Sequence, residues 1–384
     1  MKLQPFLVFL FTLALILVSF TLKNSSQPVY AAYERLPVGR VIETKGEVLI
    51  KRQNWSDYHP LFVGTELYAN DQIKSQSQSK LTAICYENWE TWNAPTDQIS
   101  QPNEGCLQAR TECVKTPEGC VPVDSTRSNH QILISDRVPY IISPRHTLLL
   151  NNKPIILRWN PVVGASRYTV MIKSPSESIW ETEVSSNQVI YEAYTSLKPG
   201  VRYIAIVHAD INVSSLDEES PFSQQDGLGM GFSILDELTQ QEITTKTEQL
   251  TQKLSGEAKT LALVELYQKN KLNDEAIEQL ESLIKENQKN AAIYHKLGEL
   301  YQEIQLPLLA KESYLKAVEL IADEDIAGMA EVQAALGQIY RTLGQKKEAV
   351  YWLTLAYNQY QQLGEQQRQT EIKQLVEQIS QSTL

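Results

Sequence analysis

The spacing of apolar residues along this chain changes twice. Residues Phe6 to Leu22 are almost unbroken apolar. From Leu36 to about Pro139 apolar and polar residues alternate, as in Val48-x-Ile50, Leu61 to Leu67, Ile73 and Leu81-x-Ala83-x-Cys85. A period of two predicts short strands with one face turned to a core. A second alternating region runs from Ser143 to Leu235 and includes Tyr168-x-Val170-x-Ile172 and Tyr203-x-Ala205-x-Val207. From Glu237 the period becomes 3.6 and stays there, which predicts helices only. The pattern therefore describes a multidomain chain: two N-terminal all-β modules followed by an all-α region.

The helical region repeats itself. Leu297-Gly298-x-x-Tyr301 is followed by Ala310, Tyr314 and Ala317, and the offsets return as Leu336-Gly337-x-x-Tyr340, Ala349, Leu353 and Ala356. A weaker copy precedes them, with Leu263, Tyr267, Ala276, Leu280 and Leu283. The small residues predict close helix approach, and the tyrosines fill the space between paired helices. This pattern resembles the tetratricopeptide repeat, a helix-turn-helix unit of about 34 residues. The resemblance implies three repeats over 257–363 in an all-α solenoid, with an acidic insertion around Asp323-Glu324-Asp325. Residues 236–256 read as an entry helix ended by Gly256, with Leu238, Ile243, Leu250 and Leu254 apolar. Residues 364–384 read as a capping helix carrying Ile372, Leu375, Val376 and Ile379 on one face.

The β regions carry weaker signatures. The succession Gly46-x-Val48, Trp55, Val63-Gly64-x-x-Leu67, Asp71-x-Ile73 and Leu81-x-Ala83 resembles the periplasmic FecR domain, over residues 36–139. Some members of that family signal through a cytoplasmic segment. Here only a few residues precede Phe6, so the resemblance implies the β fold and not that role. Residues 143–235, with Trp159 and Leu197-x-Pro199-Gly200-x-x-Tyr203, resemble a fibronectin type III domain. That resemblance implies a buried Trp159 and a Tyr203 hydroxyl bonded back to the backbone. Such modules act as spacers or binding units, and here they are expected to stand the repeats off from a membrane or wall.

Charge and cysteines set the compartment. Lys2, the apolar run, and Val29-Tyr30-Ala31 read as a secretory signal over 1–31, with an uncleaved anchor at 6–22 as the alternative. The rest of the chain is then periplasmic or extracellular, and the membrane is touched only through that segment if it is uncleaved. With 35 basic and 46 acidic residues, net −11, the chain is a poor partner for nucleic acid or anionic lipid. Cys85, Cys106, Cys113 and Cys120 predict disulfides in an exported chain, with the pairing open. They lack the Cys-x-x-Cys step usual in zinc sites, so no metal or other cofactor is expected. Three of them lie in a Pro-rich loop, 93–128. Tyr86, Trp89 and Trp92 beside that loop could stack on a wall glycan or pack beneath it.

Catalytic patterns are missing. His59, His130, His146, His208 and His295 form no metal-binding pair. Gly227-Leu228-Gly229-Met230-Gly231 lacks the Lys-Ser/Thr of a phosphate loop and reads as a hinge. The resemblance to tetratricopeptide repeats instead implies an inner face lined by Glu265, Gln268, Lys269, His295, Glu299, Gln302, Glu303, Gln338 and Arg341. This mildly acidic floor suits a basic or amide-rich peptide. The expected function is a non-enzymatic scaffold for envelope proteins or peptides, and the alternative is a carbohydrate- or wall-binding protein acting through the first β module.

Overall fold

The alternating runs become strands where the pattern places them. A computed structural model describes residues 36–106, 113–116, 119–122, 137–192, 197–217 and 230–381, with the backbone alone at 113–116 and 119–122. The predicted signal at 1–31, residues 107–112, 117–118 and 123–128 of the loop at 93–128, and Gly227 to Gly229 of the predicted hinge lie outside the described residues. Among those described, no helix is long and apolar enough to cross a membrane.

The first module comprises β1 (Gly39–Lys45), β2 (Val48–Lys51), β3 (His59–Pro60), β4 (Glu66–Leu67), β5 (Gln72–Ser75), β6 (Lys80–Cys85), β7 (Thr91–Asn93) and β8 (Ile99–Ser100). They pair as two four-stranded sheets, β4-β1-β6-β7 and β3-β2-β5-β8. Val41, Leu81 and Ala83 from one sheet share a core with Val48, Ile50 and Ile73 from the other. A disulfide joins Cys85 to Cys106, which resolves half of the open pairing. A hairpin of β9 (Cys113–Thr116) and β10 (Gly119–Pro122) follows, and the side chains of Cys113 and Cys120 lie outside the described residues.

The second module adds β11 (Ile141–Ser143), β12 (Thr147–Leu149), β13 (Ile155–Trp159), β14 (Tyr168–Lys173), β15 (Ser178–Val184), β16 (Gln188–Tyr191), β17 (Arg202–Ala209), β18 (Val213–Ser214) and β19 (Phe232–Ile234). One sheet runs β11-β13-β16 and the other β12-β19-β17-β14-β15, with β18 on β17. Trp159, Leu157, Val170, Ile172, Val207 and Phe232 fill the space between them. The Tyr203 hydroxyl accepts a hydrogen bond from the Lys198 N–H at 2.8 Å.

Eight helices follow among the described residues: α1 (Glu237–Lys253), α2 (Gly256–Lys269), α3 (Asn273–Lys285), α4 (Ala291–Glu303), α5 (Pro307–Leu320), α6 (Ile326–Thr342), α7 (Lys346–Leu363) and α8 (Gln366–Gln381). Asp236, Asn290 and Asp325 cap α1, α4 and α6 through their side chains. Asp325, in the acidic insertion, is thus a helix cap. A Cβ added to Gly298 would lie 2.6 Å from the Tyr314 ring, and one on Gly337 would lie 2.5 Å from Leu353, so only glycine fits between these helices. Two expectations need correction. Gly256 opens α2 after a break at Leu254-Ser255, rather than ending α1. Leu238 is 79% exposed, so α1 packs through Ile243 and Leu250.

A larger correction concerns the β modules. They are not spacers separate from the repeats; Pro37–Leu384 forms one unit. Strand β6 shows why. Leu81, Ala83 and Cys85 face the core of the first module, while Ile84, on the opposite face, belongs with Ile42 to the apolar cluster of the repeat helices. The pairing with β6 shifts register between Val41 and Glu43, and Val41 and Ile42 are both buried, each in a different cluster.

Candidate functional site: the inner face of the repeats

The inner face is built from the first helices of the repeats, α2, α4 and α6. Its central residue is Glu265, on α2 and only 3% exposed. Lys296 on α4 reaches it at 2.6 Å and also contacts Glu299 at 3.1 Å. A third charge enters from outside the array. Arg40 of β1, 6% exposed, places Nε 3.2 Å from Glu265 and Nη2 3.2 Å from Glu299, with Glu66 of its own module at 2.9 Å. The Tyr86 hydroxyl donates to Glu265 at 3.1 Å and accepts from Arg40 Nε at 3.3 Å.

Burial alone would raise the Glu299 and Glu265 carboxyls, but Arg40 and Lys296 outweigh it and hold both below the ordinary carboxylate range. Burial opposes the charge on Arg40, and the neighbouring glutamates overcome it, so its guanidinium stays protonated. Each ion here has several partners, which a buried charge requires.

A second contact lies toward the C-terminus. Arg52 sits between the Trp55 and Tyr68 rings, 5.2 and 5.0 Å from their centroids, and reaches Glu331 of α6 at 3.5 Å. The Trp55 indole N–H donates to Glu365, beyond α7, at 2.7 Å. Gly64, at φ +93°, passes Ala292 of α4 so closely that a Cβ would lie 3.0 Å from the alanine methyl.

The nine residues expected on the inner face thus have definite places. Glu265 and Glu299 hold Arg40. Lys269 lies 4.5 Å from the centroid of the Tyr86 ring. His295 contacts Glu299 at 3.5 Å and the Tyr314 ring at 6.0 Å between centroids. Gln302 accepts from the Tyr314 hydroxyl at 3.0 Å, while Glu303 accepts from Gln268 at 2.7 Å and from Lys271 at 2.8 Å. Gln338 and Arg341 are half-buried on α6, and burial lowers the Arg341 pKa. The face is not an empty floor: the first β module occupies its centre.

The aromatic trio is placed differently from a stacking platform. Trp92 is 8% exposed, and the Gly105 backbone lies so close that a Cβ there would overlap the indole. Tyr86 is taken up by Glu265, Arg40 and Lys269. Trp89 is half-buried beside Tyr86, 6.4 Å between centroids. Two of the three rings therefore pack inside the protein.

Arg40, Lys296, Glu66, Arg52 and Glu331 were not expected at the site. The available clue was Arg40 inside the otherwise buried run Gly39-Arg40-Val41-Ile42, where a cation needs a buried partner. The second module docks by a different device. Arg145, 1% exposed, donates to the carbonyls of Ile304 at 2.8 Å and Gln305 at 3.4 Å, at the C-terminal end of α4. A cation is favoured at a helix C-terminus. Leu148 N–H donates to the Lys271 carbonyl at 2.8 Å, and Asn273 donates to the His146 carbonyl at 2.8 Å.

This geometry describes a tetratricopeptide-repeat solenoid carrying a β-rich N-terminal region. The family model for the tetratricopeptide repeat matches residues 291–324 and 330–363, so the second and third units are such repeats. The match does not extend to the weaker unit before them. Solved structures similar to this chain include the crystal structure of MamA, at 18% identity, covering 38% of this chain and 90% of that one, with a TM-score of 0.27. Another is a Podosopora anserina putative kinesin light chain with nearly identical TPR-like repeats, at 21% identity, covering 38% and 90%, with a TM-score of 0.25. No curated protein matches the chain.

Proposed function

We propose that this chain is a non-enzymatic, exported scaffold for protein or peptide partners in the cell envelope. The observation that carries the reading is the pair of tetratricopeptide units at 291–324 and 330–363, an architecture that holds partners rather than performing chemistry. Export rests on the basic, apolar and small-residue succession of residues 1–31. We read the first module as FecR-like, on the order of its turns and strands. Its partner sheet order and the Tyr203 hydrogen bond support a fibronectin type III-like reading of the second.

In this reading the first occupant of the inner face is the chain's own β1. A partner for that face would carry a cationic side chain, because it would replace Arg40 between Glu265 and Glu299. The glycan alternative has less support, since Tyr86 and Trp92 are engaged within the protein. The test is a photoreactive residue at Lys269 in the full chain, exposed to an envelope extract with and without Arg40→Ala. A protein crosslink that strengthens in the variant is expected. Crosslinks confined to the chain itself in both forms would overturn the proposal.

A further inference from the structure

The disulfide between Cys85 and Cys106 lies directly behind the contact that closes the inner face. Cys85 ends β6, and its Cα stands opposite Gly39, one residue from Arg40. It also closes the turn 85–90: its N–H donates to the Glu90 carbonyl at 2.9 Å, and its carbonyl accepts from the Trp89 N–H at 3.0 Å. That turn carries contacts to the helices. The Tyr86 hydroxyl reaches Glu265 at 3.1 Å, Lys269 stands 4.5 Å from the Tyr86 ring centroid, and Glu90 pairs with Lys253. The grip of the first module on the inner face therefore converges on residues beside one sulfur.

The other sulfur belongs to a surface turn. Cys106 follows a short 3₁₀ turn, Pro102–Glu104, and Asn103, Glu104 and Gly105 are exposed. The Cys106 N–H donates to the Pro102 carbonyl at 2.7 Å, and the Asn103 N–H donates to the Ala69 carbonyl at 3.2 Å. Among the described residues, no strand pairing includes residues 101–106. Both sulfurs are buried, at 0% and 1% exposure, so a thiol reaches them once this turn swings away.

We propose that the Cys85–Cys106 bond is a redox latch on the inner face, closed when oxidised and opened by a dithiol reductant, resting on the inner face as the partner surface. A thiolate of the reductant attacks Sγ of Cys106, and Cys85 leaves as a thiolate. The second thiol of the reductant then displaces Cys106 from the mixed disulfide. Two electrons and two protons pass to the chain, which gains two thiols, and the reductant closes into its own disulfide. A crosslink restricts the open states of a chain more than the closed one. Without it the turns 85–90 and 101–106 move independently, and local opening becomes easier. The Tyr86 contacts then weaken, and Glu265 and Glu299 become available to a cationic side chain of a partner.

The test is fluorescence anisotropy of a labelled, capped Gly-Arg-Gly peptide titrated with the full chain. The oxidised chain is compared with three forms: the chain treated with dithiothreitol, Cys85→Ser with Cys106→Ser, and Arg40→Ala with the bond intact. Affinity raised about tenfold or more by dithiothreitol and by the serine pair, within the usual range of coupling between sites, supports the latch. Adding Glu265→Gln to the serine pair should abolish that gain. The response to dithiothreitol should persist in Cys113→Ser with Cys120→Ser, which assigns it to this bond. If the serine pair unfolds, as judged by circular dichroism, hydrogen exchange at 84–90 replaces it. That exchange should accelerate with dithiothreitol while α7 stays unchanged, and an unchanged rate at 84–90 overturns the latch. Peptide binding by Arg40→Ala but not by the reduced chain also overturns the latch and leaves the scaffold proposal standing. Binding by none of the forms overturns both.

Discussion

Arg40 shows how much one side chain can decide. It is the buried cation that faces Glu265 and Glu299 across the boundary between β1 and the repeats. Truncating one member of a buried ion network leaves uncompensated charge, which costs about 3–5 kcal/mol. Arg40→Ala is therefore expected to lower the unfolding free energy measured by urea denaturation by that amount, and an Arg40→Ala, Glu299→Gln pair to recover part of the loss. Destabilisation by Arg40→Ala of under about 0.5 kcal/mol, the range of an ordinary surface change, would show that the network is not holding the module. Gly298 makes the opposite point about size. A methyl there meets the Tyr314 ring at 2.6 Å, so Gly298→Ala should cost about 1–3 kcal/mol through overpacking, despite the higher helix propensity of alanine. A thermal melt of the variant checks this. Both residues were visible in the sequence, but to different degrees. Gly298 stood in a recurring motif, whereas the role of Arg40 depended on partners more than two hundred residues away.

At the level of elements, repeats and strands were readable for one reason: each carries its period within a short stretch. The positions that broke the period were the informative ones. In β6, Leu81-x-Ala83-x-Cys85 marks one buried face, yet Thr82 and Ile84 are buried too. A sheet covered on both faces loses its polar alternation, and here the second cover is the helical array. The Cys85–Cys106 bridge ties the end of β6 to the turn over Trp92 and closes a segment of 21 residues. Cys85→Ala with Cys106→Ala should cost about 3 kcal/mol by loop entropy. A fall in melting temperature in the double variant, and in wild type under reductant, is the expected result. The side chain of Asn290 caps α4 and also bonds Glu257 at 2.7 Å. Asn290→Ala should cost about 1 kcal/mol, read from the denaturation midpoint.

At the scale of the molecule, the two β modules and the repeats share apolar clusters and are also joined by buried charge and by helix-end carbonyls, and the charged part of that union depends on pH. Glu265 and Glu299 have folded-state pKa values below the ordinary glutamate value. Their contribution is therefore complete above that value of about 4.3, and it is lost as pH falls toward the depressed folded values. Hydrogen exchange of β1 and β6 should accelerate on acidification through that window before the repeat helices open. Uniform exchange of strands and helices at low pH would show that the network does not control docking. Asp274 works in the other direction. Its folded pKa is raised to about 7, so its stabilising effect is full below about 4 and disappears as pH rises through 7. Asp274→Asn should therefore flatten the stability profile between those limits, as measured by denaturation at several pH values.

The sequence by itself determined the elements: alternating strands, paired helices with glycine and alanine at their contacts, and a polar inner face. All of these follow from local periodicity, because a strand or helix reports its buried face within a few residues. Only the tertiary structure decided that the inner face is occupied by β1, that Arg145 clasps the end of α4, and that Tyr86 and Trp92 face inward. Those outcomes rest on charges and surfaces brought together from distant parts of the chain. A periodic pattern shows that a face is buried or polar, but not which element covers it.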